Sequence, residues 1–311
     1  MTPLQPPAPG LWISRTRIAV KVILKHMLAP IGLFVRAPKG LRVLFYHRVN
    51  TYDFKALGLV SREITVPRER FERQLRYLSK RGYRSITLAE CRDMLAGKIP
   101  MDPKAVLLTF DDGYDDNLSD AAPILAKYGF TATVFPVLEQ VGKNNTCWPM
   151  ADAEGLGDFM SSDRLKLWLD AGHEIGSHTL THPILTHIDE DQLTRELAGS
   201  RTGFEALLGR PCISVAYPNG DVDTRVAQAA ADAGYALGFT TRSGTNPAGS
   251  PTTQLKRTEV SVSDTDLIFA LKMRGMFDWL GVRDTVFYRN VMRVLNKALR
   301  AMTRTPKAQT S

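Results

Sequence analysis

The run Ala105-Val106-Leu107-Leu108-Thr109-Phe110 constrains this chain more than any other segment. It lacks polar alternation, so both of its faces must be covered, as in a parallel sheet packed between layers. Short runs of similar character recur at 42–46 (RVLFY), 131–135 (TATVF), 173–177 (HEIGS), 213–217 (ISVAY), 235–240 (YALGFT) and 258–262 (TEVSV). Helical periodicity fills the intervals near 67–81, 88–96, 119–128, 162–171, 189–208 and 223–233. This alternation predicts an α/β fold with a parallel sheet, open or closed into a barrel. The composition, 44% hydrophobic and 23% charged, excludes wholesale disorder. No uncharged apolar run reaches the length of about 18 residues expected of a membrane span. Cys91, Cys147 and Cys212 are odd in number and far apart, which disfavours a disulfide framework and a CxxC metal knuckle.

The apolar run leads directly into Asp111-Asp112-Gly113. That is the C-terminal end of a buried strand, where α/β barrels build their active sites. Strand geometry predicts the two carboxylates on opposite sides of the strand. Two adjacent acids in a poorly solvated place need a cation or a shared proton. One then binds metal and the other acts as a base. The same residues also suit a polar strand-to-loop turn.

A second signal is His178-Thr179-Leu180-Thr181-His182, followed by Pro183. On a helical turn, residues four apart share a face, so both imidazoles reach one ion. One Asp and two His make a three-ligand set that leaves positions for water or substrate, as catalytic zinc requires. Two surface histidines four apart by chance are the alternative.

TFDDG at 109–113 together with HTLTH at 178–182 resembles the polysaccharide deacetylases of the NodB-homology family (carbohydrate esterase family 4). TATVF at 131–135, AGHEIGSHTLTHP at 171–183 and SVAYPNGDVD at 214–223 extend the likeness over roughly residues 41–262. The resemblance implies a distorted (β/α) barrel of about seven or eight strands with extra terminal helices. It implies that Asp112, His178 and His182 bind one divalent metal, Zn2+ before Co2+ or Ni2+. Asp111 would be the general base, and a backbone N–H near Asn219 would help the metal hold the oxyanion. Tyr217, beside Asn219, and Trp148, in the irregular 141–160 loop, are substrate-contact candidates. Packing or loop anchoring is the alternative for both.

Two departures from the family pattern stand out. Ala216 occupies the place of an Arg that normally holds the catalytic Asp, and Asn219 replaces an aromatic. No histidine follows His187, so the usual late general acid is missing. His47, in VLFYH at 43–47, resembles the acid of a permuted subgroup that includes bacterial poly-N-acetylglucosamine deacetylases. First and last strands of a closed barrel are neighbours, so a His from either reaches one site. His26, His173 and His187 are read as structural or solvent-facing. Arg257, just before the last strand, is a candidate neighbour of the acidic site.

The net charge of +8 is unevenly placed. Residues 1–48 hold eight Lys/Arg and no acid, and residues 285–311 hold six and no acid, leaving 26 basic against 32 acidic residues between them. A mildly acidic body argues against nucleic-acid binding. Residues 11–35 look helical, with Arg17, Lys21 and Lys25 in one stripe and a break at Pro30; 264–302 look helical too. The expected organisation is a basic amphipathic extension at 1–36, the deacetylase-like domain at 37–262 and a basic helical extension at 263–311. The expected function is removal of N-acetyl groups from amino sugars of a polysaccharide or envelope glycan. A lipid-linked amino sugar is the alternative substrate, and a non-catalytic carbohydrate-binding relic the alternative class. The basic ends suit an anionic membrane surface, which places the protein peripherally on the cytoplasmic side rather than exported.

Overall fold

The computed structural model describes residues 9–33, 39–53, 56–147 and 157–284. Among them, seven parallel strands form the framework: β1 (Arg42–Tyr46), β2 (Ala105–Asp112), β3 (Thr133–Pro136), β4 (Glu174–Ile175), β5 (Ser214–Ala216), β6 (Leu237–Phe239) and β7 (Thr258–Glu259). The strands order as β7-β1-β2-β3-β4, with β5 and β6 paired separately. Two isolated parallel bridges, Ser177 to Val215 and Phe239 to Leu255, join these groups. The Ser177 and Ala216 amides donate to Ser214 and Ser177 across the first junction, and the Thr240 amide donates to Leu255 across the second. Parallel hydrogen bonding therefore runs round the full circuit, thinly at two places, which is a distorted barrel.

Side chains alternate across this wall. Val43, Leu107, Phe135, Ala216, Leu237 and Phe239 share one buried cluster inside the barrel. Leu44, Tyr46, Val106, Leu108, Phe110 and Val134 belong to another, beneath the surrounding helices. The helices of use below are α1 (Pro9–Leu28), α2 (Arg68–Lys80), α3 (Leu88–Leu95) and α4 (Asp266–Met273). Helix α3 begins with a capping box between Thr87 and Glu90. Its Leu88, Cys91, Met94 and Leu95 pack with Leu41 and Ala105, closing the end of the barrel where the strands start. The opposite, C-terminal end is left for the site.

Most expected helices form, and α1 ends at Leu28 with a tight turn over Ala29–Leu33 that contains Pro30. The run 189–208 is wound as α-helix over Glu190–Thr194, a π turn over Arg195–Gly199, and α-helix again over Ser200–Leu208. A two-stranded ladder between Arg48–Asn50 and Thr65–Pro67, and the short helix Leu59–Ile64, carry no signal that the periodicity revealed. The helical reading of 264–302 holds for Asp266–Met273; residues 285–302 lie outside the described set.

The terminal segments attach through buried ion pairs. Arg42 makes a two-pronged pair with Asp278, its Nη1 and Nη2 at 2.8 and 2.7 Å from the two carboxylate oxygens. Asp264 is fully buried between Lys25 of α1 and Lys272 of α4, at 2.7 and 2.6 Å. Burial alone would raise the Asp264 pKa, but the two ammonium groups outweigh it and hold the carboxyl below its usual range.

Candidate active site

The site begins with the end of β2. Alternation sends Asp111 into the barrel and would send Asp112 outward. Asp112 instead takes φ 71°, in the left-handed region. That reverses the alternation, so both carboxylates line one cavity of about 180 Å³. The expectation of opposite sides is corrected for this reason. Gly113 follows with φ 81°, and any Cβ there would collide with Pro136 of β3. Only glycine fits both conditions.

The two histidines reach the same cavity, but not on a helical turn. Residues 179–184 form a loop in which Thr179 (φ 69°) and His182 (φ 68°) are both left-handed. This double reversal folds His182 back onto His178, with ring centroids 4.8 Å apart. Glu196, on the π turn, holds the loop in place. One of its oxygens accepts from the Leu180 and Thr181 amides at 2.9 Å, and the other from the Thr181 hydroxyl at 2.6 Å. π turns recur at functional sites for this kind of re-aiming. Replacing Glu196 by Ala frees the loop and should lower metal affinity about 10–100-fold, the usual effect of losing support behind a ligand. Titration with Zn2+ and circular dichroism of the same sample check this: retained fold with unchanged affinity would remove Glu196 from the role.

The donor set suits a cation. One ligand atom each from Asp112, His178 and His182 lies within 4.8 Å of the others. His178 Nε2 and His182 Nε2 stand 3.6 and 3.8 Å from Asp112 Oδ1, too long for good hydrogen bonds. They are close to the roughly 3.4 Å separation of donors around a tetrahedral ion with bonds of ~2.1 Å. His178 Nδ1 sits 2.7 Å from the carbonyl oxygen of Ala216 and donates to it, which leaves the Nε2 lone pair for the ion. Burial and the neighbouring His178 push the His182 pKa down to about 4, so it is neutral, as a ligand must be.

Arg257 resolves the departure at position 216. It is fully buried, and its Nη1 and Nη2 donate to the two oxygens of Asp111, each at 2.7 Å. Its Nε donates to the Thr240 carbonyl, and the guanidinium lies 4.4 Å from the Phe45 ring centroid. The Arg that the third motif lacks therefore arrives from just before β7. Burial by itself would raise the Asp111 pKa; Arg257, with smaller help from His178 and His47, outweighs it and brings the value down to about 2.

His47, Tyr217 and Asn219 line the same cavity. The His47 carbonyl accepts from Asn117 at 2.8 Å, which fixes the backbone behind the ring. Tyr217 is buried and its hydroxyl donates to the Thr253 carbonyl at 2.8 Å, so only its ring faces the cavity. Asn219 has φ 56°, and the Thr241 hydroxyl donates to its carbonyl. Trp148 lies outside the described residues. Val60, Ser61, Ile64, Tyr114, Asn145 and Thr241 complete the wall, and of these only Tyr114, next to Gly113, stood near a sequence motif.

A model of the polysaccharide deacetylase family matches residues 98–238, a span that includes Asp111, Asp112, His178, His182 and Asn219. Residues 98–238 carry a polysaccharide deacetylase domain. The chain is 28% identical over 239 residues to the Bacillus subtilis protein YxkH, provisionally named a polysaccharide deacetylase; the match covers 77% of this chain and 78% of that one. It is 38% identical over 64 residues to the poly-β-1,6-N-acetyl-D-glucosamine N-deacetylase of Escherichia coli K12, covering 21% of this chain and 10% of that one. Among solved structures, Streptococcus pyogenes deacetylase PplD in complex with acetate superposes with a TM-score of 0.65 at 25% identity, covering 77% of this chain and 99% of that one. The deacetylase fold and the parallel α/β architecture thus agree.

Proposed function

We propose that this chain is a metal-dependent hydrolase that removes N-acetyl groups from amino sugars of an N-acetylated polysaccharide. The observation that carries the reading is the three-donor set of Asp112, His178 and His182 beside a carboxylate held ionised by Arg257. The names of the E. coli relative and of the acetate-bound streptococcal deacetylase support the substrate class.

Asp112, His178 and His182 would hold one divalent ion, and an N2O donor set suits Zn2+, with Co2+ or Ni2+ as alternatives. When bound, such an ion polarises a carbonyl and lowers the pKa of water to about 7. Asp111 accepts the proton of the attacking water, whose oxygen bonds to the acyl carbon. The Asn219 N–H donates to the carbonyl oxygen as it gains charge. His47, on the cavity wall, gives a proton to the nitrogen as the C–N bond breaks, so acetate and a free amine leave. Tyr217 forms part of the substrate wall. The binding-relic alternative rested on Ala216 and Asn219; with Arg257 holding Asp111, the first of these departures has a remedy within the chain.

The test is acetate release from poly-β-1,6-N-acetylglucosamine oligomers by metal-loaded protein, with His178→Ala alongside. Wild type should contain close to one metal per chain by elemental analysis, lose activity on chelation and regain it with Zn2+. His178→Ala should lose both metal and acetate release. Metal retained in the variant, or turnover that survives full chelation, would overturn the metal-dependent reading.

A further inference from the structure

Helix α1 is tied to the body of the protein through its basic stripe. Lys21 and Arg17 reach Glu63 at 2.7 and 3.2 Å, and Lys25 reaches both Asp264 and the Ser263 hydroxyl at 2.7 Å. Lys25 is thus largely committed to the body, whereas Arg17 and Lys21 keep 52% and 46% of their side chains exposed. Beside them runs an exposed apolar row: Val20 (47% exposed), Ile23 (58%), Leu24 (48%) and Met27 (69%), continued by Ile31 (36%) after the helix. Their spacing of three, four, seven and eleven residues puts them on one side of the helical path. Large apolar side chains exposed singly need no explanation, but a contiguous row of them marks an interaction surface. Among the described residues, the other large exposed hydrophobics are Tyr52, Val60, Leu167 and Leu267, none of them on α1.

We propose that this face docks the protein on an anionic lipid bilayer, independently of the deacetylase reading. Three observations select a lipid surface over other occupants. First, the row sits in acid-free sequence, since residues 1–48 contain no Asp or Glu. Second, the turn Ala29–Leu33 packs against the end of the described chain: Ala29 shares a buried cluster with Ile268 and Phe277, and a Cβ on Gly32 would collide with the Met276 backbone. The described chain ends at residue 284, and the residues that follow, 285–311, hold six Lys/Arg and no acid. An anionic bilayer rewards the apolar row and both basic segments at once. A second copy placed face to face would oppose like charges, because a twofold contact uses the same patch on both subunits. Residues 285–302 folded over the row would likewise place bases beside bases. Third, no helix among the described residues is long and apolar enough to cross a membrane, so α1 lies on the surface rather than through it.

The docking face is also next to the site. The helix Leu59–Ile64 provides Glu63 to α1, and Val60, Ser61 and Ile64 to the cavity wall. One short helix thus separates the lipid-facing row from the catalytic cavity.

The experiment is co-sedimentation of the full chain with vesicles of equal phosphatidylcholine and phosphatidylglycerol, and with phosphatidylcholine alone. Wild type should bind the anionic vesicles, and the neutral ones more weakly. The triple variant Ile23→Ser, Leu24→Ser, Met27→Ser should partition at least about tenfold less, because each change removes apolar area that the bilayer would cover. Its circular dichroism, metal content and acetate release from a soluble oligomer should match wild type, which separates a failure of docking from a failure of folding or of the deacetylase reading. Leu267→Ser, at another exposed apolar position, should bind as wild type does. Absence of wild-type binding, equal binding to neutral vesicles, or a triple variant that binds normally would each overturn the proposal. A wild-type dimer in light scattering that becomes a monomer in the triple variant, without vesicle binding, would assign the face to self-association instead.

Discussion

Asp111→Asn should reduce acetate release by roughly 10²–10⁴-fold, the range supplied by a positioned general base. The substitution keeps the shape of the side chain and removes its ability to take a proton. Asp111 is buried at the C-terminal end of β2, and its two oxygens are engaged by Arg257. Metal content should therefore stay near the wild-type level while turnover collapses. Elemental analysis and an acetate assay on the same preparation check the two halves separately. A variant that keeps both metal and turnover within a few-fold of wild type would hand the proton transfer to another group. A variant that loses the metal as well would mean that Asp111, not only Asp112, supports the ion.

The second large effect is expected at Arg257. Arg257→Met fills similar space but leaves the Asp111 carboxylate buried without its partner. Breaking a buried pair in this way typically costs about 3–5 kcal/mol. The loss here should fall in that range, because Arg257 is fully buried and also donates to Thr240 and Thr109. Urea denaturation at neutral pH measures it. The pH dependence has a definite sign. In wild type the Asp111 pKa is lowered to about 2, against an ordinary value near 4, so its stabilising contribution is complete above the ordinary value and is lost as pH falls through about 2. The gap between wild type and Arg257→Met should thus be widest at neutral pH and shrink between about pH 4 and pH 2. Adding Asp111→Leu to Arg257→Met should recover much of the stability and none of the activity, since an apolar pair removes the uncompensated charge. A gap that stays constant with pH would show that Arg257 stabilises the barrel by packing alone.

Much of the catalytic half was legible because it is local. A non-alternating apolar run ending in Asp111-Asp112-Gly113 announces a buried parallel strand with acids at its C-terminal end, and β2 is that strand, extended by two residues to Asp112. HTLTH places two imidazoles four residues apart, and they do meet at Asp112, although through left-handed residues rather than a helical turn. Backbone reversals at Asp112, Thr179 and His182 left no periodic trace, because none of these residues is glycine. Glu196 looked like any acid on an amphipathic helix, since its role depends on a π turn that brings it over a loop fifteen residues back.

The amino-acid sequence by itself determined the parallel α/β class, the strand that carries the two acids and the two candidate histidines, because these follow from hydrophobic period and from ligand chemistry along a few consecutive residues. Only the tertiary structure decided which Arg holds Asp111 and which way α1 faces. Arg257 lies 146 residues from Asp111 and meets it only where β7 closes on β1. For α1, the stripe of Arg17, Lys21 and Lys25 was plain, but its direction was not. Glu63 and Asp264 pair with those bases, Lys25 most fully, and leave the apolar row exposed with Arg17 and Lys21 half-exposed beside it.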